Sequence, residues 1–127
     1  MAVSKKMIIL LVEDDELLLR ALYLTFHGGN YTIATASDGD TGLKMVERIK
    51  PNVILLDLLL PKMNGFDLLK YLKANPELKD IPVIVLSNLG DNDDITKAMG
   101  LGALDYFVKS DTDLDDLKNK VDKILTS

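Results

Sequence analysis

Carboxylates stand at the ends of two strongly apolar segments of this sequence. Glu13 and Asp14 follow the run Met7–Val12, and Asp57 interrupts the otherwise apolar stretch 53–60. Three carboxylates that share one crevice repel one another, and a hard divalent cation removes that cost. Oxygen ligands without histidine or cysteine favour Mg²⁺. Glu13 and Asp14 are equally well explained as an acidic helix start, but a lone buried carboxylate such as Asp57 is costly without a partner.

A hydroxyl and an ammonium follow two further apolar runs. Ser87 comes directly after the run 83–86, and Lys109 comes directly after Asp105–Val108. Taken separately, such a serine is commonly a turn or cap residue, and such a lysine is usually solvated. Placed together beside the three acids, they are suited to holding the oxygens of a phosphoryl group. The sequence therefore indicates phosphoryl chemistry assisted by a divalent cation.

The elements that position these residues follow from the hydrophobic pattern. Short apolar runs alternate with segments whose apolar residues recur every three or four positions, which is the pattern of βα units around a parallel sheet. The predicted strands lie at 7–12, 31–35, 53–56, 83–86 and 105–108. The predicted helices carry the apolar stripes Leu18, Leu19, Leu22 and Phe26; Leu43, Val46 and Ile49; Phe66, Leu69 and Leu72; Ile95, Ala98 and Met99; and Leu114, Leu117, Val121, Ile124 and Leu125.

The composition of the runs predicts the order of the strands. The first, third and fourth runs are apolar throughout, as central strands covered on both faces must be, whereas the second and fifth include polar residues. We expect an α/β fold with five helices and a doubly wound, five-stranded parallel sheet of flavodoxin-like order 2-1-3-4-5. In such sheets ligands bind at the carboxyl ends of the strands beside the switch point, here between strands one and three. All the candidate site residues fall on that edge.

Overall composition excludes several other classes of protein. The 127 residues suit a single domain, 1–127, with no output domain expected in this chain. The absence of cysteine and the single histidine argue against zinc sites and cysteine nucleophiles. A net charge of -5 disfavours direct binding of nucleic acid. The early apolar run is too short for a membrane span or a secretory signal, so we expect no membrane insertion and a cytoplasmic location.

These motifs, taken in order, resemble the receiver domains of two-component response regulators over nearly the whole chain. The matching segments are ILLVEDD at 9–15, PNVILLDLLLPKMNG at 51–65, PVIVLS at 82–87 and GALDYFVK at 102–109. The resemblance implies a role for each site residue: phosphoacceptor Asp57; Mg²⁺ ligands Glu13, Asp14, Asp57 and the backbone carbonyl of Leu59; phosphoryl-pairing Lys109; and switch residues Ser87 and Tyr106. For Tyr106, an edge aromatic that simply packs is the alternative.

The function that this resemblance implies is Mg²⁺-dependent transfer of a phosphoryl group onto Asp57 from a sensor histidine kinase or a histidine phosphotransfer protein. Phosphorylation is expected to switch an interaction surface for an unknown output protein, with the domain a monomer or a weak phosphorylation-dependent dimer. The protein would catalyse its own phosphorylation and dephosphorylation without acting on a separate metabolite. Two alternatives stay open: an interaction module that does not depend on phosphorylation, and a phosphatase or flavin-binding protein of the same topology.

The sequence departs from the family pattern after the lysine and after the switch hydroxyl. Ser110 stands where the family usually has proline, and we expect the Lys109–Ser110 bond to be trans because serine does not relieve the cis penalty. Asn88 stands where a small residue is usual. Leu59 and Leu89, at the positions flanking the path of an attacking water in this family, predict a long-lived phosphoryl group.

Three further expectations concern residues outside the site. His27 is interpreted as a neighbour of the first helix's C-cap and not as a phosphorylated histidine. Leu17 and Leu24 fall off the core stripe of that helix, and exposed leucines of this kind are ordinary. Met99 is expected to pack in the core or against a loop, as are two other methionines.

Overall fold

The structure of the protein, a computed structural model, describes residues 6–126. Within these residues, five β-strands alternate with five α-helices. The strands are β1 (Met7–Val12), β2 (Tyr31–Ala36), β3 (Val53–Leu56), β4 (Val83–Ser87) and β5 (Asp105–Val108). The helices are α1 (Glu16–Phe26), α2 (Gly39–Ile49), α3 (Gly65–Ala74), α4 (Asn92–Gly100) and α5 (Leu114–Thr126), and a single 3₁₀ turn, Lys109–Asp111, precedes α5. Within residues 6–126, no helix combines the length and the apolar character that crossing a membrane requires.

The strands form one parallel sheet in the order β2-β1-β3-β4-β5. This confirms the predicted topology and places the switch point between β1 and β3. Every residue of β3 and β4 is buried, whereas the edge strand β5 is only half-buried along its length. The difference follows from the fold, because central strands are covered by helices on both faces.

Helices cover the two faces of the sheet and enclose two hydrophobic clusters. One cluster, which we call the α2–α4 cluster, packs α2, α3 and α4 against the sheet. Its fully buried members include Val46, Leu68 and Ala98. The other packs α1 and α5 against the opposite face, with Phe26 and Val121 at its centre. The site residues at the carboxyl edge therefore stand on strands that are fixed from both sides.

Side-chain caps begin four of the helices at the carboxyl edge of the sheet. In each case a carboxylate or amide oxygen accepts a hydrogen bond from a backbone N–H of the first turn, which would otherwise lack a partner. The capping residues are Asp15, Asp38, Asn64 and Asp91. These caps fix where the loops that carry the site end and where the helices begin.

Three details differ from the sequence-based expectations. Strand β2 continues through Ala36 and strand β4 through Ser87, each one residue beyond the predicted run. Met99 is 42% exposed, so the expectation that it packs in the core or against a loop is wrong, because α4 buries only Ala98. Leu17 and Leu24 are exposed, as predicted.

The single histidine lies at the end of the first helix. His27 is the C-cap of α1, and its ring stacks on Tyr23 with centroids 5.2 Å apart. The expectation that it neighbours the cap is therefore off by one position, since His27 itself is the cap.

Candidate functional site

Three carboxylates converge at the carboxyl edge of the sheet, between β1 and β3. The two strands pair Val12 with Leu56, so the residues that follow them are neighbours. One carboxylate oxygen from each of Glu13, Asp14 and Asp57 lies within 4.8 Å of the others. Glu13 is 3% exposed and Asp57 4%, whereas Asp14 is exposed. The predicted convergence of the three acids is therefore present in the structure.

Lys109 reaches into this acidic cluster from the end of β5. Its Nζ lies 2.7 Å from Glu13 Oε1 and 2.8 Å from Asp57 Oδ2. Such short, charge-assisted contacts are stronger than hydrogen bonds between neutral groups. One ammonium group thus holds two buried carboxylates, a double contact that the sequence pattern did not indicate.

Burial and hydrogen bonding oppose each other in both Glu13 and Lys109, and the pKa of each group is raised. Burial raises the pKa of Glu13 to about 7, and the nearby Asp57 charge adds to this, although hydrogen bonds from Lys109 and the Asp15 N–H oppose it. Burial also disfavours the charged Lys109, but the hydrogen bonds to Asp57 and Glu13 outweigh burial and raise the lysine pKa. Lys109 therefore stays protonated at neutral pH.

The donor chemistry of the cluster fits Mg²⁺. Its three acidic groups offer only oxygen, which is the ligand type that this hard cation prefers. Lys109 supplies a single positive charge against three acidic groups, so a further cation would relieve the remaining repulsion. The exposed Asp14 leaves one side open, where waters would complete the coordination.

The loop that follows β3 holds the Asp57 carboxylate from the other side. The Leu59 N–H donates to Asp57 Oδ1 at 3.1 Å, so each oxygen of this carboxylate has a partner. The Leu59 side chain is 52% exposed, whereas Leu89 packs partly against the α2–α4 cluster. Only Leu59 of this pair therefore presents a large apolar surface to solvent.

Ser87 and Tyr106 are connected through the backbone of Leu89. The Ser87 hydroxyl is fully buried and accepts a hydrogen bond from the Leu89 N–H at 3.4 Å. The Tyr106 hydroxyl donates to the Leu89 carbonyl, and its ring packs partly against the α2–α4 cluster. Burial raises the pKa of Tyr106, and the charges of Asp94 and Asp57 add to the effect. The two residues predicted to form the switch thus meet at one segment between β4 and α4.

The segment after Lys109 has a conformation that suits serine. No peptide bond described in residues 6–126 is cis, so the Lys109–Ser110 bond is trans, as predicted. The chain enters the 3₁₀ turn at this point, and the Thr112 hydroxyl donates to the Val108 carbonyl at 2.6 Å. Ser110 and Asn88 are both exposed.

Two glycines that sequence reasoning did not single out lie against the loop after β3. A Cβ atom on Gly65 would lie 2.5 Å from the Leu58 Cα, and one on Gly39 would lie 2.7 Å from the Met63 carbonyl carbon. Both distances are well below ordinary carbon contacts of about 3.5 to 4.0 Å. The sequence carried no signal for these contacts, since the apolar stripes that predicted α2 and α3 begin only at Leu43 and Phe66.

Comparison with known proteins yields curated relatives that share part of their length with this chain. The chain is 35% identical over 101 residues to the transcriptional regulatory protein AfsQ1 of Streptomyces coelicolor. The matched region covers 80% of this chain and 44% of that protein. The chain thus spans less than half the length of this curated relative.

Solved structures agree with the sequence relatives. The Francisella response regulator 1452 receiver domain superimposes with a TM-score of 0.87 at 25% identity, covering 95% of this chain and 98% of that one. The phosphorylated cyanobacterial phytochrome response regulator RcpA superimposes with a TM-score of 0.82 at 32% identity, covering 94% and 91%.

The response regulator receiver domain model matches residues 9–122, which include every residue of the acidic cluster as well as Ser87, Tyr106 and Lys109. With the strand order and the site geometry described above, this match leads to one conclusion. The chain belongs to the response regulator receiver domain family.

Proposed function

We propose that this receiver domain accepts a phosphoryl group on Asp57 in a Mg²⁺-dependent reaction and thereby switches a protein-interaction surface. The observation that carries the proposal is the convergence of Glu13, Asp14 and Asp57 within 4.8 Å, with the Lys109 ammonium 2.8 Å from the Asp57 carboxylate. A buried carboxylate held between a cation and further acids is what a phosphoacceptor with a metal site requires.

In the proposed reaction Asp57 is the nucleophile. A carboxylate oxygen forms a new P–O bond as the P–N bond of a phosphohistidine breaks, and the electron pair of that bond returns to the imidazole nitrogen. Phosphoryl transfer needs alignment and charge neutralisation more than a strong nucleophile. Bound Mg²⁺, held by Glu13, Asp14, Asp57 and the Leu59 carbonyl, would supply part of that neutralisation. Lys109 supplies the rest at the phosphoryl oxygens.

The fully buried Ser87 and the partly buried Tyr106 are the proposed switch residues. New oxygens on Asp57 would attract the Ser87 hydroxyl, which now accepts from the Leu89 N–H. The Tyr106 hydroxyl binds the carbonyl of the same residue. A change at Ser87 can therefore reach the start of α4 along the chain, and β5 through the hydrogen bond from Tyr106 to Leu89.

The phosphodonor in this proposal is a histidine on a sensor kinase or a phosphotransfer protein in the cytoplasm. This partner class follows from family membership, and RcpA, a relative of the same family, has been crystallised in a phosphorylated form. The output partner is open, because relatives such as AfsQ1 are transcriptional regulators that extend well beyond the matched domain.

Phosphorylation by phosphoramidate, a small donor with a P–N bond, tests the proposal. We expect the parent protein to gain one phosphoryl group by intact-mass measurement in the presence of Mg²⁺, and to gain none with the metal chelated. The matched control is Asp57→Asn, which keeps the shape of the side chain but removes the nucleophile. A parent protein that gains no phosphoryl group would instead favour an interaction module that does not depend on phosphorylation.

A further inference from the structure

The far end of the loop after β3 rests on the first residue of α2. We call residues 58–64 the acceptor loop, because it begins directly after Asp57. The Gly39 N–H donates to the Pro61 carbonyl at 3.3 Å. A Cβ on Gly39 would lie 2.7 Å from both the carbonyl carbon and the Cβ of Met63, and closer still to the Met63 carbonyl oxygen.

The requirement for glycine at position 39 is one of space. Gly39 does not have a left-handed backbone, unlike Gly28 and Gly102, so an L-residue could adopt its conformation. Any side chain there would nevertheless collide with the backbone of Met63, which cannot swing aside as the tip of a flexible side chain can. Substitution must therefore displace the acceptor loop or the start of α2.

The near end of the acceptor loop is fixed just as closely to the candidate site. The Gly65 N–H donates to the Leu58 carbonyl at 2.9 Å, and the Leu59 N–H donates to Asp57 Oδ1 at 3.1 Å. Pro61, between these ends, has a restricted backbone and no N–H of its own. A displacement at Met63 is consequently passed along a short, stiff segment to the backbone that orients the Asp57 carboxylate.

We propose that Gly39 is a positioning residue for the phosphoacceptor site. Because its Cα carries no side chain, the acceptor loop can lie directly against the start of α2. Through the Leu59 backbone, this placement of the loop determines the orientation of Asp57. This inference rests on the proposed function, since it concerns the same site. The three heavy atoms nearest to a Cβ at position 39 all belong to Met63, so the proposed effect on the site passes through the loop. Charge plays little part at this contact, because the neighbouring Lys62–Asp38 pair is separated by 3.9 Å and its lysine is 65% exposed.

The test compares Gly39→Ala with Gly100→Ala. Both add one methyl group to a helix-terminal glycine, but nothing lies within 4 Å of a Cβ at position 100. Mg²⁺ binding to the unphosphorylated proteins is measured by calorimetry, and the amide spectrum of residues 58–65 is recorded. We expect Gly39→Ala to weaken Mg²⁺ binding about tenfold and to shift these amides, because small misplacements of site groups have large effects. Phosphorylation by phosphoramidate should be slow at low Mg²⁺ and recover as Mg²⁺ is raised.

Each outcome bears on a different claim. A folded Gly39→Ala protein that binds Mg²⁺ as tightly as the Gly100→Ala protein would overturn the role of Gly39 and leave the proposed function intact. A parent protein that neither binds Mg²⁺ nor accepts a phosphoryl group would overturn both. If Gly39→Ala does not fold, the double variant Gly39→Ala/Met63→Gly decides, since glycine at position 63 removes the Cβ that faces position 39 and lets the loop backbone yield: Mg²⁺ binding weaker than in Met63→Gly alone supports the inference, and equal binding contradicts it.

Discussion

At the scale of single residues, Lys109 is shared between two buried carboxylates that follow different strands, β1 and β3. Its Nζ contacts Glu13 and Asp57 at nearly equal distances, so it neutralises part of the acidic cluster in the absence of any phosphoryl group. The same ammonium would face the phosphoryl oxygens after transfer. The Lys109 charge thus weakens the binding of a cation to the acidic cluster and promotes transfer of the phosphoryl group. Mutation of Lys109 can separate these two effects.

Replacing Lys109 should separate the two effects. We expect Lys109→Gln to lower the rate of phosphorylation by phosphoramidate about a hundredfold, as the loss of a transition-state charge partner does. Mg²⁺ binding should become tighter, because a competing positive charge is removed. Calorimetry and intact-mass time courses measure the two quantities. Lys120→Gln, which removes a partly exposed partner of Asp105, is the control that should change neither quantity.

The persistence of the phosphoryl group should depend on Leu59. Its exposed side chain cannot orient a water by hydrogen bonding, whereas asparagine can. We expect Leu59→Asn to speed the loss of the phosphoryl group severalfold after donor removal, and Leu59→Val to leave the rate near that of the parent. Equal rates in all three proteins would contradict this role of Leu59. The partly buried Leu89 is a poorer test, since changing it also disturbs packing.

At the scale of secondary structure, α5 is tied to the edge strand β2 by a polar contact as well as by packing. The Tyr31 hydroxyl donates to one oxygen of Asp122, and Lys118 Nζ lies 2.8 Å from the other. Burial alone would raise the carboxyl pKa, but the hydrogen bonds from Lys118 and Tyr31 outweigh it and lower the pKa of Asp122. The ionised form is therefore the one that stabilises the fold.

The contribution of Asp122 should depend on pH in one direction. A group whose pKa is lowered by folding stabilises the protein above its unfolded pKa, and this stabilisation is lost as the pH falls through the folded value. Because the side chain is partly exposed and screened by solvent, we expect Asp122→Ala to reduce the free energy of unfolding by no more than about 1 kcal/mol at pH 7, and by less near pH 3. Urea denaturation at the two pH values measures the difference. Glu77→Ala, which removes an exposed ion pair with Lys50, should have little effect at either pH.

The elements themselves were largely predictable, because local patterns determine them. Continuous apolar runs predicted β3 and β4, because a strand that is buried on both faces is apolar at every position. Periodic apolar stripes predicted all five helices, because a helix that is buried on one face is apolar at every third or fourth position. Contacts between distant segments were not predictable in the same way. The double contact of Lys109 and the close approach of Gly39 to Met63 arise only when loops from different strands meet. The exposed Met99 was missed because α4 is short and buries only one residue.

At the scale of the whole molecule, the site and the surface formed by α4 and β5 are joined through Leu89. The Leu89 N–H donates to the Ser87 hydroxyl, and the Leu89 carbonyl accepts from the Tyr106 hydroxyl. Leu89 therefore links β4, β5 and the loop that leads into α4. A two-state change of these contacts would alter residues 91–109 together.

Beryllofluoride, which mimics the aspartyl phosphate, should reveal this coupling. With Mg²⁺ present, we expect amide chemical shifts to change at residues around Asp57 and across 91–109, and to stay nearly constant at the far end of α2. The Asp57→Asn protein should show neither change. Shifts confined to the surroundings of Asp57 would show that this domain binds the mimic without a working switch.

Among the described residues, all four strand pairings are parallel, so each one joins segments that are distant along the chain. The hydrogen bond from the Ile8 N–H to Asn52 Oδ1, at the start of β1 and β3, links residues 44 positions apart. Closing such loops costs chain entropy before any strand contact repays it, which slows folding. During synthesis the edge of β1 that pairs with β3 stays unpaired until β3 has been made, and the edge of β3 that pairs with β4 stays unpaired until β4 has been made. A stalled or truncated chain ending before Val83 is therefore expected to aggregate or to need a chaperone, whereas the finished chain encloses those same edges.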